Sequence, residues 1–464
     1  MKKSWSSWAL LLLLGLGFIG NVCGAAAAAP SIEWQKSLGG SGHDEAYSIQ
    51  QTTDGGYIVA GFSESKDGDV SDHHGYGGYL SRDYWIVKLN ATGNIVWQKS
   101  LGGSDWDEAH SIQQTADGGY IVAGFSESDD GDVSDHQSYR DYWVVKLNST
   151  GGIVWQKSLN SGAAYSIQQT TDGGYIVAGD SGIIKLNADG NITWQTSYDL
   201  GVLIGGDRSI QQTSDGGYIV ASASIDNGGN YLIIKLNATG NVVWQKSLGG
   251  SALDAAASIQ QTSDGGYIVA GISASNDGDV SGNHGGEYIY GDVVANFDYW
   301  VVKLNATGDI VWQKSLGGSG IEEAHSIQQT SDGGYIVAGT SSSYLNDGDV
   351  SGNHGALDYW IVKLNATGSI VWQKSLGCGG GADSRAYSVQ QTSDGGYIIA
   401  GYSSGNEDDV SGNHGGEDYW IVKLGSDGSG RGGSGGGGGG CNVSYGLFVL
   451  VVSGFALISK RKSR

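Results

Sequence analysis

The residues best suited to chemistry in this sequence are oxygen ligands that alternate along short segments. Five segments share the pattern DGDVS, or EDDVS in the last, and begin at Asp67, Asp130, Asp277, Asp347 and Glu407. Alternating oxygen side chains at i, i+2 and i+4 are the spacing by which loops present ligands to calcium. The candidate calcium ligands are Asp277, Asp279, Ser281, Asn283 and Asp298 in one segment and Asp347, Asp349, Ser351, Asn353 and Asp358 in another.

The same residue types also occur in ordinary loops, where Asp, Asn and Ser side chains bond to nearby backbone groups. The segments lack the helix and the bidentate glutamate that complete an EF-hand. Four of the five segments are followed by a histidine at the same position, namely His74, His284, His354 and His414. Because each histidine belongs to a different segment, they predict a repeated polar contact and not a zinc site. The sequence requires no cofactor, and calcium binding and local loop capping are two open interpretations of these segments.

Tyrosines in and beside the same segments are the second set of candidate functional residues. Tyrosine supplies a large contact area at a low cost in conformational entropy, and it is common in binding loops. Packing of the loops on themselves is the alternative interpretation of these side chains. The candidates for ligand binding are Tyr76, Tyr79, Tyr139, Tyr288, Tyr290 and Tyr344.

The sequence carries no recognisable catalytic motif. It has no nucleophile elbow, no HExxH pair and no phosphate-binding loop. Glu322 and Glu323 form an acidic pair, and glycosidases and lyases use paired carboxylates, but neighbouring side chains on a strand point to opposite faces. The sequence therefore predicts a noncatalytic protein, with a glycosidase or lyase as the alternative.

A sevenfold repeat positions all of these residues. The tetrapeptide DGGY begins at Asp54, Asp117, Asp172, Asp215, Asp264, Asp332 and Asp394, within units that read SIQQTSDGGYIVAG and then DYWIVKLNATGNIVWQKSLGG. The first unit contains four β-rich runs, a to d, which we predict at Ala46–Thr52, Tyr57–Ser63, Asp83–Asn90 and Asn94–Leu101. The DGG and NATG segments between these runs are hairpin turns. Four antiparallel strands in each unit are typical of one blade of a β-propeller.

The ends of the repeat predict that the array closes into a ring. An unpaired d strand, Ile32–Leu38, precedes the first unit, and the seventh unit stops after its c strand at Leu424. The N-terminal strand would complete the last blade and hide sheet edges that invite aggregation. The predicted fold is therefore all-β, a seven-bladed β-propeller of four-stranded antiparallel blades over residues 32–424.

Every d strand has a tryptophan at the same place, which indicates a structural wedge between blades. These residues are Trp34, Trp97, Trp155, Trp194, Trp244, Trp312 and Trp372. The segment NATGNIVWQKSLGG resembles the tryptophan-docking repeats of PQQ-type propellers, through TG, three residues and Trp. The resemblance implies the architecture only, because the repeats lack the vicinal cysteine pair of the quinoprotein dehydrogenases.

The copies differ mainly in the connection between strands b and c. Units three and four have short connections, so the five long DGDVS insertions belong to consecutive blades of the ring, five, six, seven, one and two. If strand a is innermost, the b/c and d/a loops lie on one face. The d/a loops include Asp44, Asp107, Asp254 and Glu322, and we expect a solvated acidic rim. Because loops on a rigid scaffold carry many binding residues, this acidic crescent is the predicted binding surface.

Both ends of the chain have sorting features. Residues 1–29 combine a basic start, an apolar run and small residues, which predicts a secretory signal peptide. Residues 425–440 form a Gly/Ser-rich linker, and residues 441–464 contain Cys441, an apolar stretch and a basic end. This order resembles the C-terminal sorting signals of bacterial surface proteins, most of all the Synergistes type. The resemblance implies anchoring or processing near Cys441, and a permanent transmembrane anchor is the alternative.

The formal net charge of −23, from 48 acidic and 25 basic residues, limits the choice of partner. A protein with this negative charge repels nucleic acid and anionic lipid, which are therefore disfavoured as partners. The sequence therefore predicts an exported, surface-anchored binding or adhesion propeller. It would engage a glycan or a protein through the acidic loop face, with calcium assisting in one interpretation. A structural scaffold or spacer of the envelope is the alternative.

Overall fold

The computed structural model describes residues 28–75, 81–197, 208–224, 229–284, 296–343 and 347–428. The chain divides into two units, Met1–Gly430 and Arg431–Arg464, and the second lies outside the described residues. The described residues contain β-strands and no helix, so none of them belongs to a helix capable of crossing a membrane. Nearly all of the predicted signal peptide and the whole predicted sorting signal, with Cys441, lie outside the described residues.

The strands form seven four-stranded antiparallel sheets, the blades. Blade 1 contains β2 (Asp44–Gln51), β3 (Tyr57–Ser63), β4 (Asp83–Leu89) and β5 (Ile95–Leu101). Blade 2 contains β6 (Asp107–Gln114), β7 (Tyr120–Ser126), β8 (Asp141–Leu147) and β9 (Ile153–Ser161), and blade 3 contains β10 (Ala164–Gln169), β11 (Tyr175–Gly179), β12 (Gly182–Leu186) and β13 (Ile192–Thr196). Blade 4 contains β14 (Ser209–Gln212), β15 (Tyr218–Ala223), β16 (Tyr231–Leu236) and β17 (Val242–Leu248), and blade 5 contains β18 (Asp254–Gln261), β19 (Tyr267–Ser273), β20 (Asp298–Leu304) and β21 (Ile310–Leu316). Blade 6 contains β22 (Glu322–Gln329), β23 (Tyr335–Ser341), β24 (Asp358–Leu364) and β25 (Ile370–Leu376), and blade 7 contains β26 (Ser384–Gln391), β27 (Tyr397–Ser403), β28 (Asp418–Leu424) and β1 (Ile32–Leu38).

The ring closes through the N-terminal strand. β1 pairs antiparallel with β28, with Lys36 opposite Ile421 and Leu38 opposite Tyr419. Blade 7 therefore joins the two ends of the repeat, and the predicted seven-bladed propeller with this closure is confirmed.

The hydrophobic core lies between neighbouring blades. Strands b and c are buried on both faces, as their continuous apolar sequences require. At every joint the d-strand tryptophan of one blade packs edge-on against the first tyrosine of strand b in the next blade; Trp34 and Tyr57, for example, have ring centroids 5.7 Å apart. Gly93 lies over Trp34 with a φ of +77°, and a Cβ there would come within 2.8 Å of the indole. The tryptophans are therefore wedges between blades, as predicted.

Strand a is the edge strand of each blade and lies at the axis. The N–H groups on its free edge donate to side chains of neighbouring blades. Gln51 N–H donates to Gln390 Oε1 (2.6 Å), and the equivalent bond is present at all seven joints. Ile49 N–H donates to Ser388 Oγ (3.3 Å), again with six counterparts. We call these the glutamine ring and the serine ring. The recurrence of SIQQ, with SVQQ in blade 7, is therefore explained by the closure of the inner edge of the propeller.

The DGG turns lie on the opposite face from the long loops, beside the NATG turns, and we call this the turn face. Lys88, almost completely buried in β4, donates to the Leu89 carbonyl (2.9 Å) and lies 3.0 Å from Asp54 Oδ2. Burial raises the pKa of Asp54, but hydrogen bonds from Thr52, Gly56 and Lys88 outweigh it and lower the pKa to about 2. The other blades repeat this lysine–aspartate pair.

Candidate functional site

The long b/c loops and the d/a connections meet at one end of the ring axis, which we call the long-loop face. Asp69 N–H donates to the Gly39 carbonyl (2.8 Å), and Asp67 Oδ1 accepts from Ser41 N–H (2.7 Å). The other four long loops make the same backbone bond to the preceding blade. The valine of each DGDV segment, Val70 in blade 1, is buried in the core. The predicted common face is confirmed, and the shared part of each insertion clamps two blades together.

The ten candidate calcium ligands all take part in hydrogen bonds within this clamp. In blade 5 the partners, in chain order, are Ser251 for Asp277, Gly249 for Asp279, Ser315 for Ser281, Ser273 for Asn283 and His284 for Asp298. In blade 6 they are Ser319 for Asp347, Gly317 for Asp349, Ser375 for Ser351, Ser341 for Asn353 and His354 for Asp358. In the described part of the chain, no three His, Cys, Asp or Glu side chains form a group that could hold a metal ion. Calcium binding by these segments stays a prediction.

Of the six candidate ligand-binding tyrosines, the structure describes Tyr139, whose exposed fraction is 81%. Tyr76, Tyr79, Tyr288, Tyr290 and Tyr344 lie outside the described residues.

The acidic residues at the start of strand a do not form the predicted solvated rim. Strand a of blade 1 begins at Asp44, two residues earlier than the sequence predicted, and Asp44, Asp107, Asp254 and Glu322 are completely buried. Asp44 Oδ2 accepts from Gly40 N–H (2.8 Å) and from the Ser65 hydroxyl (2.8 Å). The prediction was wrong because the two-glycine turn places each carboxylate under the DGDV clamp, where serines at the end of strand b and just after it supply polar partners.

Three of these buried acids face a second acid, the aspartate that begins strand c in the preceding blade. The pairs, which we call acid joints, are Asp44 with Asp418, Asp107 with Asp83, and Glu322 with Asp298. A Cβ on Gly39, between the first two, would lie 2.4 Å from Asp44 Oδ2 and 2.8 Å from Asp418 Oδ1. Such a like-charge pair in a buried site favours the retention of a proton.

A histidine holds the strand-c aspartate of each acid joint. The backbone N–H of His414 (2.9 Å) and its Nδ1 (2.7 Å) both contact Asp418 Oδ2, and His74, His284 and His354 contact Asp83, Asp298 and Asp358 in the same way. The predicted repeated polar contact of the histidines is confirmed. Burial raises the pKa of Asp418 to about 6 and outweighs the lowering effect of His414. Burial likewise raises the pKa of Asp107 to about 7 and that of Asp298 to about 6.

A cavity of about 520 Å³ occupies the axis at the long-loop end. Its lining includes the residue that precedes the serine in each strand a. This position changes from blade to blade although its neighbours repeat: Tyr47, His110, Tyr165, Arg208, Ala257, His325 and Tyr387. A smaller cavity of about 240 Å³ at the turn face is lined by the glutamine ring and by the residue before each glutamine, which is isoleucine in every blade except blade 7, where it is Val389.

Five of the variable residues form a continuous aromatic arc across blades 6, 7, 1, 2 and 3. Ring centroids of consecutive members are 5.0 Å apart from His325 to Tyr387, 4.9 Å to Tyr47, 5.0 Å to His110 and 5.0 Å to Tyr165. Aromatic residues of strand b back the arc, namely Phe62, Phe125 and Tyr402. Blades 4 and 5 complete the wall with the small side chains of Ser222, Ala223, Ala255 and Ala257, together with Arg208, Leu253, Ile272 and Phe297. The aromatic arc is therefore confined to one side of the cavity, and the variable position of blade 5 on the other side holds only the small Ala257.

Two of the four arginines between residues 32 and 424, Arg208 and Arg385, line this cavity. The other two, Arg82 and Arg140, lie over the rings of Phe62 (4.2 Å) and Phe125 (3.9 Å), which back the aromatic arc. Each guanidinium contacts a carboxylate: Arg82 with Glu64 and Glu108, Arg140 with Glu127, Arg208 with Asp180, and Arg385 with Glu323. The cavity is thus polar, and the charges of its arginines are compensated.

Glu323 adds a carboxylate to the cavity wall, and Glu45 contacts Tyr47 of the aromatic arc. Glu323 lines the cavity beside Arg385 (3.2 Å), whereas Glu322 points into the acid joint and accepts from Ser341 and Ser343, so the predicted divergence of this pair is confirmed. Glu45 accepts from the Tyr47 hydroxyl (3.2 Å). Burial raises the pKa of Glu45 to about 7, against the lowering effect of Arg82.

The sequence predicted a binding surface on the loops and did not predict this cavity. Two signals in the sequence mark it. One residue varies from blade to blade inside the segment A-x-S-I-Q-Q, whose other positions change only at Asp207 and Val389, and the arginines occur in four units only, whereas the lysines of strand c are present in every unit. Both signals become informative once strand a is known to line the axis.

Comparison with protein families gives one partial match. A sequence model of the family described as outer membrane protein assembly factor BamB matches residues 82–276, which is under half of the chain. No curated protein matches the chain.

Several solved structures are similar to the chain. A crystal structure of Sqt1 from Chaetomium thermophilum is 12% identical, with a TM-score of 0.44, and covers 85% of this chain and 100% of its own. The C-terminal WD40 domain of Sif2 is 10% identical, with a TM-score of 0.43, and covers 84% of this chain and 99% of its own. A protein of unknown function from Bacteroides caccae is 17% identical, with a TM-score of 0.38, and covers 65% of this chain and 92% of its own.

Proposed function

We propose that this chain is a noncatalytic binding propeller of the cell envelope that recognises a glycan or a protein in the axial cavity of its long-loop face. The observation that carries the proposal is the variable position of strand a. Seven residues that occupy equivalent places include three tyrosines, two histidines, an arginine and an alanine, although the flanking residues repeat. Packing of the ring does not require this variation, because one scaffold accepts Tyr and Ala at the same place.

The charged groups of the cavity favour binding over catalysis. A hydrolase with paired carboxylates needs one acid and one base that both face the substrate. Here Glu322 and Glu323 diverge, and Glu323 contacts Arg385. A glycosidase or lyase remains the alternative for a catalytic role, and it would have to use Glu45 with its raised pKa.

The envelope location is supported by the partial match to an outer membrane protein assembly factor and by the predicted signal peptide and sorting signal. A role as an adhesin, with anchoring near Cys441, follows the same reasoning. The competing function is that of an envelope scaffold, in which the ring acts as a spacer and the cavity has no ligand.

One substitution separates the two functions. Ala257→Tyr places a tyrosine in blade 5 at the position where blades 1, 3 and 7 already have one, so the strand should accept it. The larger side chain fills the side of the cavity opposite the aromatic arc. We expect this variant no longer to sediment together with isolated envelopes. The control Val96→Thr, at a site that is 59% exposed, should sediment with them as the wild type does. Equal sedimentation of both variants would support the scaffold.

Calcium is tested in the same assay. If the DGDVS segments bind calcium, added calcium should raise both envelope binding and the melting temperature, and a chelator should reverse the two effects. No change in either would remove calcium from the proposal.

A further inference from the structure

We propose that the axial cavity binds the end of an uncharged saccharide, a ligand class that presupposes the binding function proposed above. The volume of about 520 Å³ lies within the range of about 300 to 1,000 Å³ that is usual for small-molecule sites. A cavity of this size admits the terminal residues of a glycan or the tip of a peptide, but not a folded domain.

The aromatic arc suits the apolar faces of sugar rings. Tyr47, His110, Tyr165, His325 and Tyr387 are all partly buried and all line the cavity, and each combines an apolar ring with a polar tip. Side chains of this kind serve where one part of a contact is apolar and the other is wet. The small residues Ala255 and Ala257 on the opposite side leave room for a ring placed against the arc.

The polar groups of the cavity match hydroxyl groups better than they match charges. Arg385 and Glu323 both line the cavity and contact each other, so a donor and an acceptor lie side by side without net charge. Arg208 adds donors to the lining, and Asp180 compensates its charge. A sugar hydroxyl can both donate and accept, and it can therefore bond to both Arg385 and Glu323. An anionic ligand would meet a protein of net charge −23, and a cationic ligand would compete with arginine for the same carboxylates.

The floor of the cavity adds further donors. Ser48, Ser111 and Ser166 of the serine ring line it, and each Oγ accepts one backbone N–H from the next blade. A hydroxyl that accepts in this way still has its own proton to donate. The floor can therefore bond to an acceptor oxygen of the ligand without loss of a ring contact.

Titration calorimetry on the purified protein tests the ligand class with three probes: uncharged oligosaccharides of glucose, mannose and N-acetylglucosamine, an oligogalacturonate, and tetralysine. The test variant is Arg385→Ala with Tyr387→Ala, which gives blade 7 the residues Ala255 and Ala257 of blade 5. The matched control is Val96→Thr, which copies Thr193 of blade 3. We expect an uncharged oligosaccharide to bind, the double variant to weaken it at least about tenfold, and the control to bind as the wild type does.

The other outcomes overturn the proposal in two distinguishable ways. Binding of tetralysine or oligogalacturonate that the double variant abolishes, without binding of an uncharged oligosaccharide, would refute the ligand class and keep the binding function. If no probe binds and Ala257→Tyr also leaves envelope sedimentation unchanged, the proposed function fails as well. Should the double variant melt early, Ala257→Tyr provides the same test by blocking the cavity from its other side.

Discussion

The two ends of the axial channel are formed by the two halves of the same seven strands, and carboxylates behave in opposite ways at these ends. At the turn face Asp54 and its counterparts each contact a buried lysine, and hydrogen bonds lower the pKa of Asp54 to about 2. At the long-loop face Asp418 faces Asp44 inside a joint, and burial raises its pKa to about 6. The depth of burial and the hydrogen-bond donors at hand, and not the residue type, therefore decide whether an acid is favoured in its charged or its neutral form.

Sequence variation follows the same division. The second half of strand a, SIQQ, ties neighbouring blades through the serine and glutamine rings and is almost constant. The first half holds the variable residue that lines the larger cavity. A propeller can thus keep its closure in one half of a strand and adapt its ligand site in the other half.

Deletion of β1, residues 32–38, should have the largest effect, because both faces depend on a closed ring. The deletion removes the partner of β28 and the partly buried Trp34 wedge. Loss of a fully buried tryptophan costs about 3 to 5 kcal/mol, which is an upper bound for Trp34, and the lost pairing with β28 adds to it. We expect the free energy of unfolding to fall by more than about 5 kcal/mol, measured by denaturant titration of tryptophan fluorescence. A variant that starts at Gly39 and carries residues 32–38 after Leu424 on an NATG turn should recover most of the loss. Wild-type stability without β1 would show that closure is dispensable.

Asp418→Asn should stabilise the protein at neutral pH. Burial raises the pKa of this aspartate from 3.8 to about 6, so the folded protein is most stable with Asp418 protonated. This contribution to the free energy of unfolding is fully present below pH 3.8 and is lost as the pH rises through 6. His414, with a raised pKa, contributes in the same direction, because its stabilisation is also lost as the pH rises. The gain at pH 7.5 should approach about 2 to 3 kcal/mol and vanish near pH 4.

The chain contains precedents for this test. Asn230 already replaces the strand-c aspartate in blade 4, opposite Asp254. Asp141 is the matched control, since Gln137 and Ser138 bond to it and strand a of the next blade begins at Ala164 without an acid. Asp141→Asn should not stabilise the protein at any pH, and a gain equal to that of Asp418→Asn would refute the role of the acid joint.

Gln113→Leu tests the constant half of strand a. The change removes the acceptor of Gln169 N–H, and an unsatisfied backbone group costs about 1 to 3 kcal/mol. Gln113→Glu keeps an accepting oxygen and should recover most of that stability in urea titrations. Saccharide binding by both variants should equal that of the wild type, because the glutamine ring lies at the other end of the channel. Lost binding would show that the two ends are coupled.

Much of the fold could be predicted because the repeat gives the same information seven times. The turn at Asp54, the strands at Tyr57 and Ile32, and the closure at Leu424 follow from local patterns and from the offset of the first strand. The burial of Asp44 could not be predicted, because it depends on how a neighbouring blade covers a strand end. The aromatic arc was missed for a similar reason, since the direction of Tyr47 depends on which strand faces the axis.

Asp54→Asn should have the smallest effect and the opposite sign to Asp418→Asn. The Asp54 side chain is 63% exposed, so solvent screens its pairing with Lys88 and the loss at pH 7 should stay below about 1 kcal/mol. Because the pKa of Asp54 is lowered, the stability that the charged carboxylate adds is present above pH 3.8 and is lost as the pH falls through 2. Thermal melting at pH 7 and pH 3 should therefore show a difference from the wild type that shrinks in acid and in high salt. Stabilisation by this variant at pH 7 would mean that the two faces do not treat carboxylates differently.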